Sequence, residues 1–227
     1  MQTPTQFIHI PGLLSHGQIE EIEALIRASN YEDGGKTAGG AALLVKKNEQ
    51  LEKGHSKDRI AELVTAAMNA NPLFMAGAMP ARIYPPIVSR YRTGMTYGWH
   101  VDGPIMGTDP PVRTDLACTI FLADPTTYIG GELVVTGPFG NMPFKLPKGD
   151  AILYPANTIH GVAEITAGER IAIVTWIQSR IREPQKREIL FQMQYLMAKH
   201  QGADPLSTES MWATQVYSNL MRMWAEV

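Results

Sequence analysis

Between Ala81 and Ser179 the sequence breaks into seven short runs of aliphatic, aromatic and β-branched residues separated by turn formers: RIYPPIVSRY, TDLACTIFLA, GELVVTG, NMPFKLP, GDAILYP, IHGVAEI and RIAIVTWIQ. Runs so brief, rich in Val, Ile, Thr and Tyr, favour strands over helices. Many short strands at this spacing fold as an antiparallel sandwich or barrel. Helical patterns lie on either side. Ser15, followed three residues later by Gln18 and by apolar Ile19, Ile22, Leu25 and Ile26, reads as a capping box opening an amphipathic helix. A second helix after Ser56 presents Ile60, Leu63, Val64 and Ala67 and is expected to end at Asn71-Pro72. Residues 30–40 (NYEDGGKTAGG) read as a glycine-rich loop. After Arg182, Pro184 suits a first helical turn, and Ile189, Met193, Leu196 and Met197 form a stripe. A last helix from about Ser207 carries Trp212, Val216, Leu220 and Met223. This tail fits either a lid over the barrel or a homo-oligomer interface. The expected architecture is α+β, mainly β, in three segments. They are an N-terminal helical segment over 1–80 packed on the core, the β core over 81–179, and a C-terminal helical extension over 180–227.

Composition removes several classes of function. Twenty Lys and Arg against 22 Asp and Glu leave a net charge of −2 and no basic excess with which to grip nucleic acid. No apolar run approaches the ~20 residues of a membrane span. The first Lys or Arg is Arg27, so no charged n-region of a signal peptide is expected. A soluble, cytoplasmic protein without nucleic-acid or membrane partners is the expectation. The lone Cys118 offers neither an internal disulfide nor a thiolate cluster for zinc. Gly34-Gly35-Lys36-Thr37 matches the end of a phosphate-binding loop, but that motif needs a glycine where this chain has Asn30, and a preceding strand where a helix is expected.

Two of the six histidines fall inside the β region in suggestive surroundings. In an extended segment, His100-Val101-Asp102 turns its imidazole and carboxylate to the same side. His160 follows the run GDAILYP and a turn at Ala156-Asn157-Thr158. Two histidines and one carboxylate occupy one face of a divalent iron and leave the opposite face open; zinc and copper also accept such donors. Arg170 adds a fourth element. If Thr166-Ala167-Gly168 closes a hairpin, Ile165 pairs with Glu169, and Arg170 and His160 point to the same side about 13 Å apart. A five-carbon dicarboxylate held by a guanidinium fork at one end and a metal at the other spans such a gap. The competing role for Arg170 is an exposed salt bridge to Glu164, worth little.

RYRTGMTYGWHVDGPIMG (90–107), TDLACTIFLAD, the turn GGELVV and GDAILYPANTIHGVAEITAGERIAIVTWIQSRIRE (149–183) together resemble the bacterial PKHD-type hydroxylases. These are Fe(II)- and 2-oxoglutarate-dependent dioxygenases named after prolyl and lysyl hydroxylase domains. The resemblance implies a double-stranded β-helix, or jelly-roll, core. It implies His100, Asp102 and His160 as ligands of Fe(2+), and Arg170 as the holder of the distal carboxylate of 2-oxoglutarate. Tyr91 stands near where related hydroxylases place a tyrosine that touches the cosubstrate. The implied reaction is C–H hydroxylation with O2, coupled to oxidative decarboxylation of 2-oxoglutarate to succinate and CO2. The family is also associated with L-ascorbate as reductant and with iron homeostasis. Collagen-type prolyl hydroxylases carry lysine in place of the arginine. Another pattern in the superfamily has Arg-x-Ser, whereas this chain has Ala172.

Two other readings use the same residues. One is a sensor or interaction module that binds iron and 2-oxoglutarate without turnover. The other is a cupin-like hydrolase or isomerase holding zinc or manganese, which Arg170 disfavours. Met95, Tyr97 and Trp99 flank the first ligands and are expected near the mouth of the site. Substrate contacts are expected from 103–114 and from the glycine-rich 30–40. Whether the primary substrate is a small molecule or a peptidyl group is not written in loop composition.

Overall fold

All seven expected runs contribute strands, and every strand pairing is antiparallel. The computed structural model describes residues 7–37, 39–137 and 140–226. The chain begins with β1 (Ile8–Ile10), α1 (His16–Arg27), β2 (Tyr31–Asp33), a 3-10 turn (Gly34–Thr37), α2 (Ala41–Leu44), β3 (Lys46–Lys47), β4 (Glu49–Leu51), α3 (His55–Ala70) and α4 (Pro72–Ala78). Then come β5 (Pro80–Ile83), β6 (Ile87–Arg92), β7 (Thr96–His100), β8 (Ile105–Met106), β9 (Val112–Arg113), β10 (Leu116–Phe121), β11 (Ile129–Gly130) and β12 (Leu133–Gly137). The core closes with β13 (Gly140–Phe144), β14 (Ala151–Pro155), β15 (His160–Val162), β16 (Ile165–Ala167) and β17 (Glu169–Ser179), followed by α5 (Pro184–Ala203) and α6 (Thr208–Trp224).

Two sheets form the jelly roll. The larger runs β1-β14-β10-β17-β6-β4-β2, with β5 also on β17; the smaller runs β13-β12-β15-β7-β3. Strand β10 shows how the layers are built. Cys118 and Ile120 pack toward Ile22, Ile60, Val64 and Phe74 of the helices. Ala117 and Phe121 alternate to the other side and meet Leu133, Val135 and Tyr154 between the sheets. With both faces covered, all six residues of this strand are buried. That explains why its sequence reads as an apolar run rather than an alternation.

The first 80 residues supply more than helix. β1, β2 and β4 extend the larger sheet and β3 edges the smaller one. The stretch 30–40, expected as a loop, contains β2 and the 3-10 turn, with Ala38 outside the described residues. These strands are two or three residues long and polar (YED, KK, EQL), so periodicity does not betray them; pairing with longer partners holds them. The Ser15 capping box forms as expected, with Ser15 N donating to Gln18 Oε1 at 2.9 Å. Asn71-Pro72 ends α3 and at once begins α4. Asn71 Oδ1 accepts from Phe74 N at 2.9 Å, and Pro72 takes a first-turn position that needs no N–H.

The hairpin expected at Thr166-Ala167-Gly168 does not form. β16 pairs with β11, while β17 pairs with β10, β6 and β5, so the three residues carry the chain from one side of the roll to the other. Gly168 does adopt a left-handed backbone, φ +80°, and a Cβ there would lie 2.3 Å from the Thr127 carbonyl oxygen. Gly168→Ala is therefore expected to destabilise the fold by roughly 2 kcal/mol or more, read as a lowered Tm.

The tail packs through a face rotated from the expected stripe. Leu190, Phe191, Tyr217, Leu220, Met221 and Trp224 gather on Met79 and Ile181. Ile189, Leu196, Trp212, Val216 and Met223 are exposed. Only Leu220 of the expected stripes belongs to this cluster, because Met79 and Ile181 lie on one side of the helix pair.

Candidate active site

A cavity of about 330 Å3 opens between the two sheets. His100, Asp102, His160, Arg170 and Tyr91 all line it, so the residues expected to hold metal and cosubstrate arrive in one place. His100 ends β7 and His160 begins β15, directly opposite each other in the ladder. Asp102 follows in the irregular segment after β7. His100 Nε2 lies 3.8 Å from Asp102 Oδ1, and His160 Nε2 lies 3.6 Å from Asp102 Oδ2. The three side chains offer donor atoms within 4.8 Å of one another.

Local backbone orients both imidazoles. His100 Nδ1 lies 2.8 Å from Gly98 O, and His160 Nδ1 lies 3.0 Å from Thr158 O; each partner is the carbonyl two residues earlier. A carbonyl only accepts, so each Nδ1 carries the proton and each Nε2 keeps its lone pair toward Asp102. Burial, reinforced by neighbouring His160, pushes the His100 pKa down and favours the neutral ring that a metal requires. Tyr97 stacks on His100 with ring centroids 3.6 Å apart. Two steps along β15 match three along β7, and this extra residue brings Tyr97 and His100, three apart in sequence, into the same cavity. Trp99 instead points outward, 53% exposed, and Met95 packs with Tyr91, Tyr128 and Val162. Of the three residues expected near the mouth, Tyr97 alone lines it.

Arg170 comes from the opposite sheet. It lies in β17, directly across from Tyr91 in β6, and its Cζ is 5.2 Å from the Tyr91 ring centroid. The side chain is 2% exposed. Among the described residues no carboxylate forms an ion pair with it, and its buried Nε has no hydrogen-bond partner. The competing role, an exposed bridge to Glu164, is absent among the described residues. A buried guanidinium without a counter-charge is costly unless a ligand supplies one. Asp102 Oδ2 is likewise buried without a hydrogen-bond partner. The cavity thus presents one orphaned anion between two imidazole lone pairs, and one orphaned cation. These fit a divalent metal and an acid.

The expected loops contribute Thr37 and Gly39 from the glycine-rich stretch, and Gly103 and Met106 from 103–114. Lys46 also lines the cavity and was not singled out from the sequence. No motif marks it. Only the pairing of β3 with β7, which sets Lys46 opposite Tyr97, brings it there.

Residues 86–178 match the 2OG-Fe(II) oxygenase superfamily. A PKHD-type hydroxylase of Phenylobacterium zucineum is 43% identical over 228 residues, covering 97% of this chain and 99% of the relative. A PKHD-type hydroxylase of Burkholderia cenocepacia is 39% identical over 227 residues, covering 96% and 99%. The chain belongs to the PKHD-type hydroxylases. Among solved structures, a Trichoplax adhaerens prolyl hydroxylase has the same fold, with TM-score 0.58 at 15% identity, covering 82% of this chain and 87% of that one. As a PKHD-type hydroxylase the chain is an Fe(II)- and 2-oxoglutarate-dependent dioxygenase. No helix among the described residues is long and apolar enough to cross a membrane.

Proposed function

We propose that His100, Asp102 and His160 hold Fe(II) in this dioxygenase, and that Arg170, beside Tyr91, receives the distal carboxylate of 2-oxoglutarate. The observation that carries this reading is the buried, uncompensated guanidinium in the same cavity as the three metal-type donors. When bound, Fe(II) with 2-oxoglutarate supplies the activation of O2 and the oxidising power for C–H hydroxylation, with succinate and CO2 as coproducts.

The chain's own work is positional. The Gly98 and Thr158 carbonyls keep both Nε2 atoms free to ligate, and the Tyr97 ring limits rotation of His100. Arg170 fixes one end of the cosubstrate; its planar fork takes a carboxylate through two parallel bonds. The Tyr91 and Phe121 rings, 5.2 and 5.5 Å from Arg170 Cζ, help keep water from that pair and so strengthen it.

Metal-stripped protein reconstituted with Fe(II) is expected to release succinate from 2-oxoglutarate with matching O2 uptake. Binding of both without turnover would support a sensor instead. Activity with zinc or manganese alone would support the hydrolase or isomerase reading.

A further inference from the structure

The cavity holds a second cation that the metal and 2-oxoglutarate leave unused. Lys46 is half-buried in its wall, with Nζ 2.9 Å from Thr37 Oγ1 and 5.1 Å from the Tyr97 ring centroid. Thr37 Oγ1 is bonded in turn to the buried Gln50 Oε1 at 2.9 Å. This chain of contacts ties the ammonium to the wall beside the ring that stacks on His100. Among the described residues, no carboxylate lies within ion-pair distance of Lys46.

Charge counting gives that position a meaning. Fe(II) and dianionic 2-oxoglutarate cancel, and Asp102 cancels Arg170. Lys46 is then the one formal charge lining the cavity without an opposite. Burial has pushed its pKa down to about 8, against the opposing pull of the Asp102 and Asp33 carboxylates, neither of which is close enough to pair with it. Beyond Thr37 and Gln50, the apolar Ala42, Met106 and exposed Val101 line the cavity with it. At about 330 Å3 the cavity is at the small end of ligand sites, roughly 300–1,000 Å3. Once 2-oxoglutarate is inside, a side-chain-sized group is what remains to be accommodated.

We propose that Lys46 anchors the primary substrate by pairing with an acidic group on it, a carboxylate or phosphate on an otherwise apolar body, presented to the metal from the opening between α2 and the segment after β7. This rests on the assignment of the three metal ligands and Arg170 made above. It makes Lys46 a specificity residue, separate from the arginine that holds the cosubstrate.

The test is anaerobic calorimetric titration of the Fe(II) and 2-oxoglutarate holoenzyme with matched probes: phenylacetate against phenylacetamide, hexanoate against hexanamide, and phenyl phosphate against phenol. At least one acid is expected to bind about tenfold or more tightly than its neutral counterpart; which pair shows it separates carboxylate from phosphate. Lys46→Gln is expected to abolish the preference and Lys46→Arg to keep it, with circular dichroism confirming that both fold. Equal binding of every acid and its counterpart by the wild type overturns the proposal, as does a preference that survives in Lys46→Gln. Weaker 2-oxoglutarate binding by Lys46→Gln with the probe preference intact would put Lys46 on the cosubstrate and also overturn it. A wild type that binds neither Fe(II) nor 2-oxoglutarate would instead sink the underlying ligand assignment.

Discussion

Replacing His100 with alanine is expected to cut succinate release from 2-oxoglutarate by at least about a thousandfold. A metal ion contributes several kcal/mol to such chemistry, and ~4 kcal/mol corresponds to that factor. His100 supplies one of the two imidazole donors around Asp102, and no other histidine lines the cavity besides His160. The fold is expected to survive. The side chain sits at the end of β7 over a cavity, so its loss enlarges an existing space rather than opening a hole in a close-packed core. Circular dichroism should match the wild type, while iron retained after dialysis should fall with the activity. Trp99→Ala, one residue earlier but pointing to solvent, is the positional control and should retain turnover. Full turnover by His100→Ala would remove His100 from the metal site.

Arg170→Met is expected to separate stability from binding with opposite signs. The affinity for 2-oxoglutarate should fall about a hundredfold or more, because truncating one partner of a buried charge pair costs about 2–5 kcal/mol. Without ligand, the Tm should hold or rise. The wild-type guanidinium is buried and unpaired among the described residues, and methionine fills similar space without a charge to desolvate. Addition of Fe(II) and 2-oxoglutarate should raise the wild-type Tm by linkage and leave the variant's nearly unmoved. An Arg170→Met protein that melts earlier yet binds 2-oxoglutarate as the wild type does would make Arg170 a structural residue.

These two positions differ in how they could be read. His100, Asp102 and His160 were legible as residues through the matched motifs; the donors of His100 and Asp102 do come together as local spacing suggested, although Asp102 lies just beyond the strand. Arg170 was legible as a residue but not as a geometry. The expected hairpin put it on the same ribbon as His160, whereas it reaches the cavity from the facing sheet, next to Tyr91. A three-residue turn with a left-handed glycine suits both a hairpin and a crossover, and only the strands available for pairing choose between them.

What the sequence by itself determined is therefore short-range. It set the β character of the core runs, the Ser15 cap, the neighbouring donors at 100 and 102 and, through the matched segments, the family, because side-chain alternation, capping and motif spacing act within a few residues of chain. The tertiary structure decided the rest: β1 to β4 as sheet edges, the bulge that turns Tyr97 onto His100, the burial of Arg170 without a partner, and the arrival of Lys46 at the cavity. Each depends on pairing between strands distant in sequence. A strand of two or three polar residues has no pattern of its own, and takes its place and facing from the neighbour to which it bonds.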